Sequence, residues 1–407
     1  MKKTLAAVAA ATIVLLGCGK SEAPQQAAAP SASGDAVKIG LVLGFTGPAE
    51  SLAPAMASGA ELAMREVSES GLLLGGRTVQ SIRADGTCID AAAATAAAER
   101  LVSADQVNAI LGELCSGATI AILQNVSVPR GILQVSASAT SPALSTIDSN
   151  GLFFRASPSD ARQGQLIAEI LKEKGIQSAA LTYTNNDYGK GLADSIRSNM
   201  EAQGIRVTIT TSHEDGKGDY TAEVGALASA GGDLLIVAGY LDQGGRGIIR
   251  SALDQGAFRT FFLPDAMVGD SLVNAIGSGL NGSFGIVPGS DSPGAAQYVK
   301  LAEAAGFQSG PYSPESYDAA ALILLAMQAA NSTDSNVVKT KVFDVANAPG
   351  EKIFPGELAK GLKILAEGGQ IDYVGASDLE LIKPGESAGN YREIKIEGGK
   401  IVTVGYR

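Results

Sequence analysis

Val37-Lys38-Ile39-Gly40-Leu41-Val42-Leu43 (VKIGLVL, residues 37–43) is a short apolar run that ends at Gly44 and the turn signal Thr46-Gly47-Pro48. Seven residues are too few for a stable helix and suit a buried strand. Behind the turn, Ala60, Ala63, Met64 and Val67 recur at the spacing of a helix face. Strand, turn and helix in that order form the opening half of a parallel-sheet unit.

The unit repeats outward from there. Further strands are predicted at Thr78–Ala84, Asn108–Gly112, Gly131–Ser136, Leu152–Ala156, Ala179–Thr184, Val207–Thr211, Asp233–Ala238, Thr260–Leu263 and Ser283–Val287. Helical segments lie between most of them, at Ala91–Val102, Asp160–Lys174, Gly189–Gln203 and Tyr220–Ala230. Such alternation predicts an α/β protein with mostly parallel sheets flanked by helices. About ten strands exceed one comfortable sheet, so two doubly wound lobes with a cleft between them are expected. The tail breaks the rhythm, with helices at Pro314–Ala330 and Glu357–Glu367 and a hairpin over Glu393–Val404 turning at Gly398-Gly399.

The N-terminus predicts export. Met1-Lys2-Lys3 precedes an apolar run from Leu5 to Leu16, too short to span a bilayer but fitting a secretory signal over residues 1–17. It ends in Leu15-Leu16-Gly17-Cys18, which resembles a bacterial lipobox, so Cys18 is the expected lipidated residue and membrane anchor. Residues 18–34, rich in Ala, Pro, Ser and Gln, read as a tether. With Cys18 lipidated, Cys88 and Cys115 remain as an even pair in an oxidising compartment. A bridge between them would close a loop of roughly thirty residues, worth roughly 3.5 kcal/mol in the chain-entropy model.

Composition excludes several functions. Cleaving the signal removes Lys2 and Lys3 and takes the formal charge from −11 to −13, which argues against nucleic acid as a partner. Two cysteines and one histidine make a metal site improbable, and no cofactor is expected. The histidine, His213, sits in the polar stretch Ser212-His213-Glu214-Asp215 and reads as a solvated loop residue rather than a catalytic base. Gly277-Ser278-Gly279-Leu280-Asn281-Gly282 matches G-x-G-x-x-G but precedes a strand, the reverse of the dinucleotide-binding order, and reads as a turn. No nucleophile elbow or phosphate loop is present, so an enzyme is not expected.

Four loops after strands carry the remaining signal. Glu113-Leu114-Cys115-Ser116-Gly117 and Ala137-Ser138-Ala139-Thr140-Ser141-Pro142 each bring hydroxyls to a predicted helix start. They read either as an anion site or as plain capping, with Ser141 as N-cap and Pro142 in the first turn. Asn186-Asp187-Tyr188-Gly189-Lys190-Gly191 holds a tyrosine in a turn or a cleft. Phe261-Phe262-Leu263-Pro264-Asp265 leaves a carboxylate just past a strand, in a cleft or capping the helix near Asp270.

Together with the opening IGLVLGFTGPAES, the Cys88/Cys115 pair, VSASATSPAL, NNDYGKGL, FFLPDA and Ile371–Ser377 (IDYVGAS), these loops resemble the leucine/isoleucine/valine-binding protein family. Those proteins are the periplasmic receptors of branched-chain amino-acid ABC transporters. The resemblance implies two lobes joined by three crossings, near Pro158, Pro288 and Tyr373. Lobe 1 is then 35–157 plus 289–373, and lobe 2 is 158–288 plus 374–407.

It also implies roles. Ser116 and Thr140, with backbone N–H groups around Ser138 and Ala139, match positions that hold a ligand α-carboxylate. Tyr188 and Asp265 match those that close over the ligand and meet its α-ammonium. Tyr240 and Leu52 match positions near the side-chain end. Asp265 stands where the family usually carries a glutamate, and Leu52 where some relatives carry an aromatic. The implied partners are an amino acid and an ABC permease, with the protein a periplasmic, lipid-anchored monomer. The alternatives are a short amide, urea or aromatic acid on the same scaffold, or a ligand sensor.

Overall fold

The computed structural model describes residues 35–407; the signal segment, Cys18 and the tether lie outside them. Val37–Leu43 is a strand, with Ile39, Leu41 and Leu43 in one apolar cluster and Val42 in another with Ala94, Ala98 and Leu101. Successive side chains of a strand point to opposite faces. A strand covered by helices on both faces must therefore be apolar throughout, which is why this one reads as an unbroken run.

Two seven-stranded sheets form. The first runs in the spatial order Leu381–Ile382, Glu386–Ser387, Phe153–Arg155, Leu133–Ser136, Ala109–Gly112, Val37–Leu43, Val79–Asp85. The second runs Lys400–Tyr406, Tyr391–Glu397, Phe284–Pro288, Phe261–Leu263, Leu234–Ala238, Ser178–Thr184, Arg206–His213. Pairing is parallel in the body of both sheets. It turns antiparallel where Phe284–Pro288 meets Tyr391–Glu397, in the C-terminal hairpin, and between the two short strands at the far edge of the first sheet. The family fold expected above, two mostly parallel helix-flanked sheets, is thus the fold observed.

In each sheet the sequence order reverses about an inner strand. In the first, the connections leaving Val37–Leu43 and Ala109–Gly112 depart to opposite sides; in the second, those leaving Ser178–Thr184 and Leu234–Ala238 do. Such switch points open crevices at the carboxyl ends of strands, and all four connections carry expected site residues.

The long helix Ser313–Ala330 is buried along nearly its whole length and packs against Ala53–Ser70 over the first sheet. Its apolar C-terminal half is core. Among the described residues no helix is long and apolar enough to cross a membrane.

Two readings need correction, and one pair of strands was not expected. The chain does not leave the first sheet near Tyr373: Leu381–Ile382 and Glu386–Ser387 still pair there, Glu386 opposite Arg155, so the last crossing falls between Ser387 and Tyr391. Two-residue strands joined through Lys383-Pro384-Gly385 are too short to show periodicity. Glu351–Ile353 and Ile371–Tyr373 form a small parallel pair that the sequence did not suggest. His213 is not a solvated loop residue. It ends the strand Arg206–His213, is only 2% exposed, and has Nδ1 2.9 Å from Thr182 Oγ1, with burial lowering its pKa to about 4.

The G-x-G-x-x-G stretch is a one-turn 3-10 helix, Gly277–Leu280, leading into Phe284–Pro288. Cys88 and Cys115 are bonded, with Cα atoms 5.1 Å apart, and tie the loop after Val79–Asp85 to the loop after Ala109–Gly112.

Candidate functional site

The loops after the switch-point strands meet between the two sheets. Leu52, Leu114, Cys115, Ser116 and Ser138 from the first side face Tyr188, Tyr240, Asp265 and Ala266 from the second around a small cavity, with Tyr312 completing the wall. Direct hydrogen bonds hold the sides together. Ser51 N–H donates to Asp242 Oδ2 at 2.9 Å, Asp242 N–H donates to Pro48 O at 3.0 Å, and Ser141 Oγ donates to Asp187 O at 3.1 Å.

Asp265 is the centre of the second side. It is wholly buried in the 3-10 turn Asp265–Met267 and does not cap the following helix, whose N-cap is Gly269. Tyr188 Oη donates to Asp265 Oδ1 at 2.6 Å, and Tyr312 Oη donates to Oδ2. Burial, and then the negative charge of Asp265, push both phenols well above the ordinary tyrosine range, so both stay protonated and donate to Asp265. Each carboxylate oxygen keeps a lone pair for another donor.

Tyr188 is positioned by its own turn. Asn186 caps the helix Asp187–Ala202 by accepting Gly189 N–H at 3.0 Å. A Cβ at Gly189 would lie 2.1 Å from Thr184 O, so only glycine lets the turn seat this closely on its strand. Tyr188 then stacks on Tyr240, ring centroids 5.2 Å apart and planes at 23°.

The first side departs in part from expectation. Ser116, at the start of the helix Ser116–Ile122, is buried, and its Oγ accepts Ser141 N–H at 3.1 Å. Ser138 Oγ donates to Leu114 O at 2.9 Å. The backbone N–H groups of Ser138 and Ala139 are not free for a ligand: both donate to Ser136 Oγ, at 3.3 and 3.0 Å. Thr140 and Ala139 are fully buried and do not line the cavity, and the Thr140 hydroxyl is turned to the Asp160 carboxylate. Ser141 caps the 3-10 turn Pro142–Ser145, as its sequence context suggests.

Beneath this loop sits Arg155, 1% exposed. Its Nη1 donates to Ala139 O and Ser141 O, each at 2.9 Å, and Nη2 donates to Ser145 Oγ at 2.7 Å and Glu386 Oε2 at 2.6 Å. The guanidinium draws the loop carbonyls downward.

Sequence reasoning missed Tyr312, Arg155 and Asp160. Tyr312 had a local signal, since it sits in Gly310-Pro311-Tyr312-Ser313-Pro314 ahead of a helix and takes φ of 60°. Asp160 was read only as a helix start. It is wholly buried, with the Thr140 hydroxyl beside its carboxylate. Among the described residues no cluster of His, Cys, Asp and Glu could hold a metal ion.

A two-lobed α/β molecule whose cleft collects hydroxyls on one wall and a tyrosine-bound carboxylate on the other defines a receptor for a small polar solute. The chain belongs to the periplasmic binding protein family, whose model matches residues 36–350, and it is a solute-binding protein rather than an enzyme. It is 30% identical over 311 residues to the Leu/Ile/Val-binding protein homolog 1 of Brucella melitensis, covering 74% of this chain and 81% of that one. It is 29% identical over 263 residues to the leucine-, isoleucine-, valine-, threonine- and alanine-binding protein of Pseudomonas aeruginosa, over 63% and 68% of the two chains. In fold it resembles the leucine binding protein LivK of Thermotoga maritima, with a TM-score of 0.77, 19% identity and coverage of 91% and 98%. It also resembles a solute binding protein of R. palustris in complex with benzoate, with a TM-score of 0.72, 18% identity and coverage of 91% and 96%.

Proposed function

We propose that the cleft captures an apolar α-amino acid for delivery to an ABC importer. The observation that carries this reading is Asp265, a buried carboxylate in the cavity wall with a lone pair left on each oxygen, facing a wall of hydroxyls. A zwitterion taken out of water needs an acceptor for its ammonium and donors for its carboxylate, because unpaired buried charge is costly. In this reading Asp265 and Tyr188 meet the ammonium, the Ser116 hydroxyl meets the carboxylate, Ser138 borders the space between them, and Ala139 and Thr140 reach the ligand only if the hydroxyl loop shifts to admit it. Leu52 and Tyr240 border the side chain.

Relatives named for leucine, isoleucine and valine support the ligand class. An aromatic acid, as bound by the R. palustris protein, is the second reading, favoured by the Tyr188–Tyr240 stack. It would leave Asp265 without a cation. Export with a lipid on Cys18, a permease partner, and lobes divided near Pro158, near Pro288 and between Ser387 and Tyr391 belong to the same proposal.

The test is calorimetry on ligand-stripped protein against the twenty amino acids, benzoate and 4-hydroxybenzoate. Tight binding of one aliphatic group is expected. Binding of the benzoates alone would replace the ligand class and keep the fold.

A further inference from the structure

The wall that Tyr312 gives to the cavity has a second side. Beyond it lies a separate groove of about 480 Å³, and Tyr312 lines both spaces. One face of the groove is the helix Pro293–Ala304, whose Ala295, Val299 and Glu303 recur every four residues and so share one face. That helix belongs with the first sheet's side, because Tyr298 packs edge-on to Tyr317 of Ser313–Ala330 with ring centroids 5.5 Å apart. The other face is the C-terminal hairpin of the second sheet. There Arg392 and Tyr406 stand directly opposite one another in the antiparallel pair, and both side chains project to the groove. The crossings meet beside them: Gly289 N–H donates to Asn390 O at 3.0 Å, and a Cβ at Gly289 would stand 3.4 Å from Arg392 Cβ.

Two observations point to an occupant. Val299 and Tyr406 are 42% and 41% exposed, two of the seven large apolar side chains left open to water among the described residues, and both line this one groove. Arg392 is half-buried, and its guanidinium closes no hydrogen bond or ion pair among the described residues; the buried Glu315 acts on it only through space. An unpartnered guanidinium beside apolar walls presents a donor fork that fits a carboxylate. The acids that also line the groove, Asp270 and Glu303, are exposed, so water and salt screen them from an incoming anion.

We propose that this groove is a second binding site, for an apolar monocarboxylate whose carboxylate pairs with Arg392 and whose body lies on Val299 and Tyr406. The groove has walls from both sheets' sides, so an occupant favours the arrangement that brings them together, which is also the one that closes the cavity. Tyr312 is the shared element, bordering the groove while its hydroxyl donates to Asp265 in the cavity. Filling the groove therefore tightens the cavity's hold on its own ligand. The groove stands apart from the amino-acid reading above, and only its coupling to the cavity rests on that reading.

The experiment titrates the full chain by calorimetry with 4-methylpentanoate, which has the side chain and carboxylate of leucine but no ammonium, alone and with L-leucine already bound. One acid per chain is expected in both titrations, with L-leucine affinity raised about five-fold or more at saturating acid. Arg392→Gln should weaken the acid about ten-fold or more and leave L-leucine binding unchanged when no acid is present. Val299→Glu, at an exposed position, should also weaken the acid by setting a carboxylate in the groove, and it serves should Arg392→Gln fail to fold.

No binding of 4-methylpentanoate, its displacement by L-leucine, or L-leucine affinity unchanged by it would overturn the inference in the wild type alone. Acid binding that survives a folded variant of either kind would overturn it as well. If no α-amino acid binds, the amino-acid reading falls by itself, and the acid titration with the two variants still decides the groove.

Discussion

At the scale of single residues, the split of charge partners across the cleft sets the expected effects. Asp265→Ala leaves a bound ammonium without its main acceptor, and truncating one partner of a buried charge pair costs about 2–5 kcal/mol. Calorimetry should therefore show amino-acid binding weakened by about thirty-fold or more, while Tyr240→Phe stays within a few-fold. Equal small effects would remove Asp265 from the ammonium site. Glu113 makes a different prediction. It is buried under the disulfide, accepts Cys115 N–H, and burial raises its pKa to about 8. A carboxyl whose pKa rises on folding stabilises the fold below its unfolded value, near 4.5, and that contribution is lost as pH climbs through about 8. Glu113→Gln should raise the melting temperature at pH 9 and leave it nearly unchanged at pH 4.5. A variant that melts lower at pH 9 would contradict this.

Between elements, the disulfide and the Arg155 network hold the hydroxyl loops in place. Cys88→Ser opens a bridge spanning 27 residues and should lower the melting temperature, by removing about 2–5 kcal/mol, without changing which amino acid binds best. Altered ligand choice would mean that the bridge shapes the cavity wall. Arg155→Met strips the partner from Glu386 and the donor from two loop carbonyls. Breaking such a buried pair costs about 3–5 kcal/mol. Both stability and affinity should fall, measured by denaturant unfolding and calorimetry. Asp318 plays a similar part for the segment Ile371–Ser377, accepting the N–H groups of Ala376 and Ser377 at 2.7 and 2.8 Å and the Tyr373 hydroxyl at 2.7 Å. The stretch that resembles the family near the C-terminus is thus a structural anchor and does not itself line the cavity.

For the whole molecule, closure is the property at issue. Asp242 bridges the two sides, taking Ser51 N–H on one oxygen and Ser271 Oγ on the other, with its own N–H on Pro48 O. These bonds need no ligand, so they bias the molecule toward the closed form. Asp242→Ala should enlarge the radius of gyration of the ligand-free protein in X-ray scattering, with saturating ligand restoring the wild-type value. An unchanged ligand-free radius would show that these bonds do not set the equilibrium.

The residues themselves determined the elements. Val37–Leu43 and its successors read as strands because both faces are buried, and the 3.6-residue spacing behind each marks the helix that covers them. From those units came the parallel sheets and their number, and the loops after strands pointed to Ser116, Tyr188 and Asp265, which the fold brings to one cavity, while Tyr240 followed only from the family resemblance. Tertiary structure alone decided what depends on partners far along the chain. The two-residue strand Glu386–Ser387 pairs with the strand of Arg155, more than two hundred residues earlier, and Glu386 meets its guanidinium. Ser136 takes the amides of Ser138 and Ala139, and Tyr312 reaches Asp265 across 47 residues of chain. Asp160 reads as an ordinary helix start, and only the fold shows that it is wholly buried against the Thr140 loop. Local pattern reports what a segment buries; it carries no record of which distant charge that burial leaves unpaired.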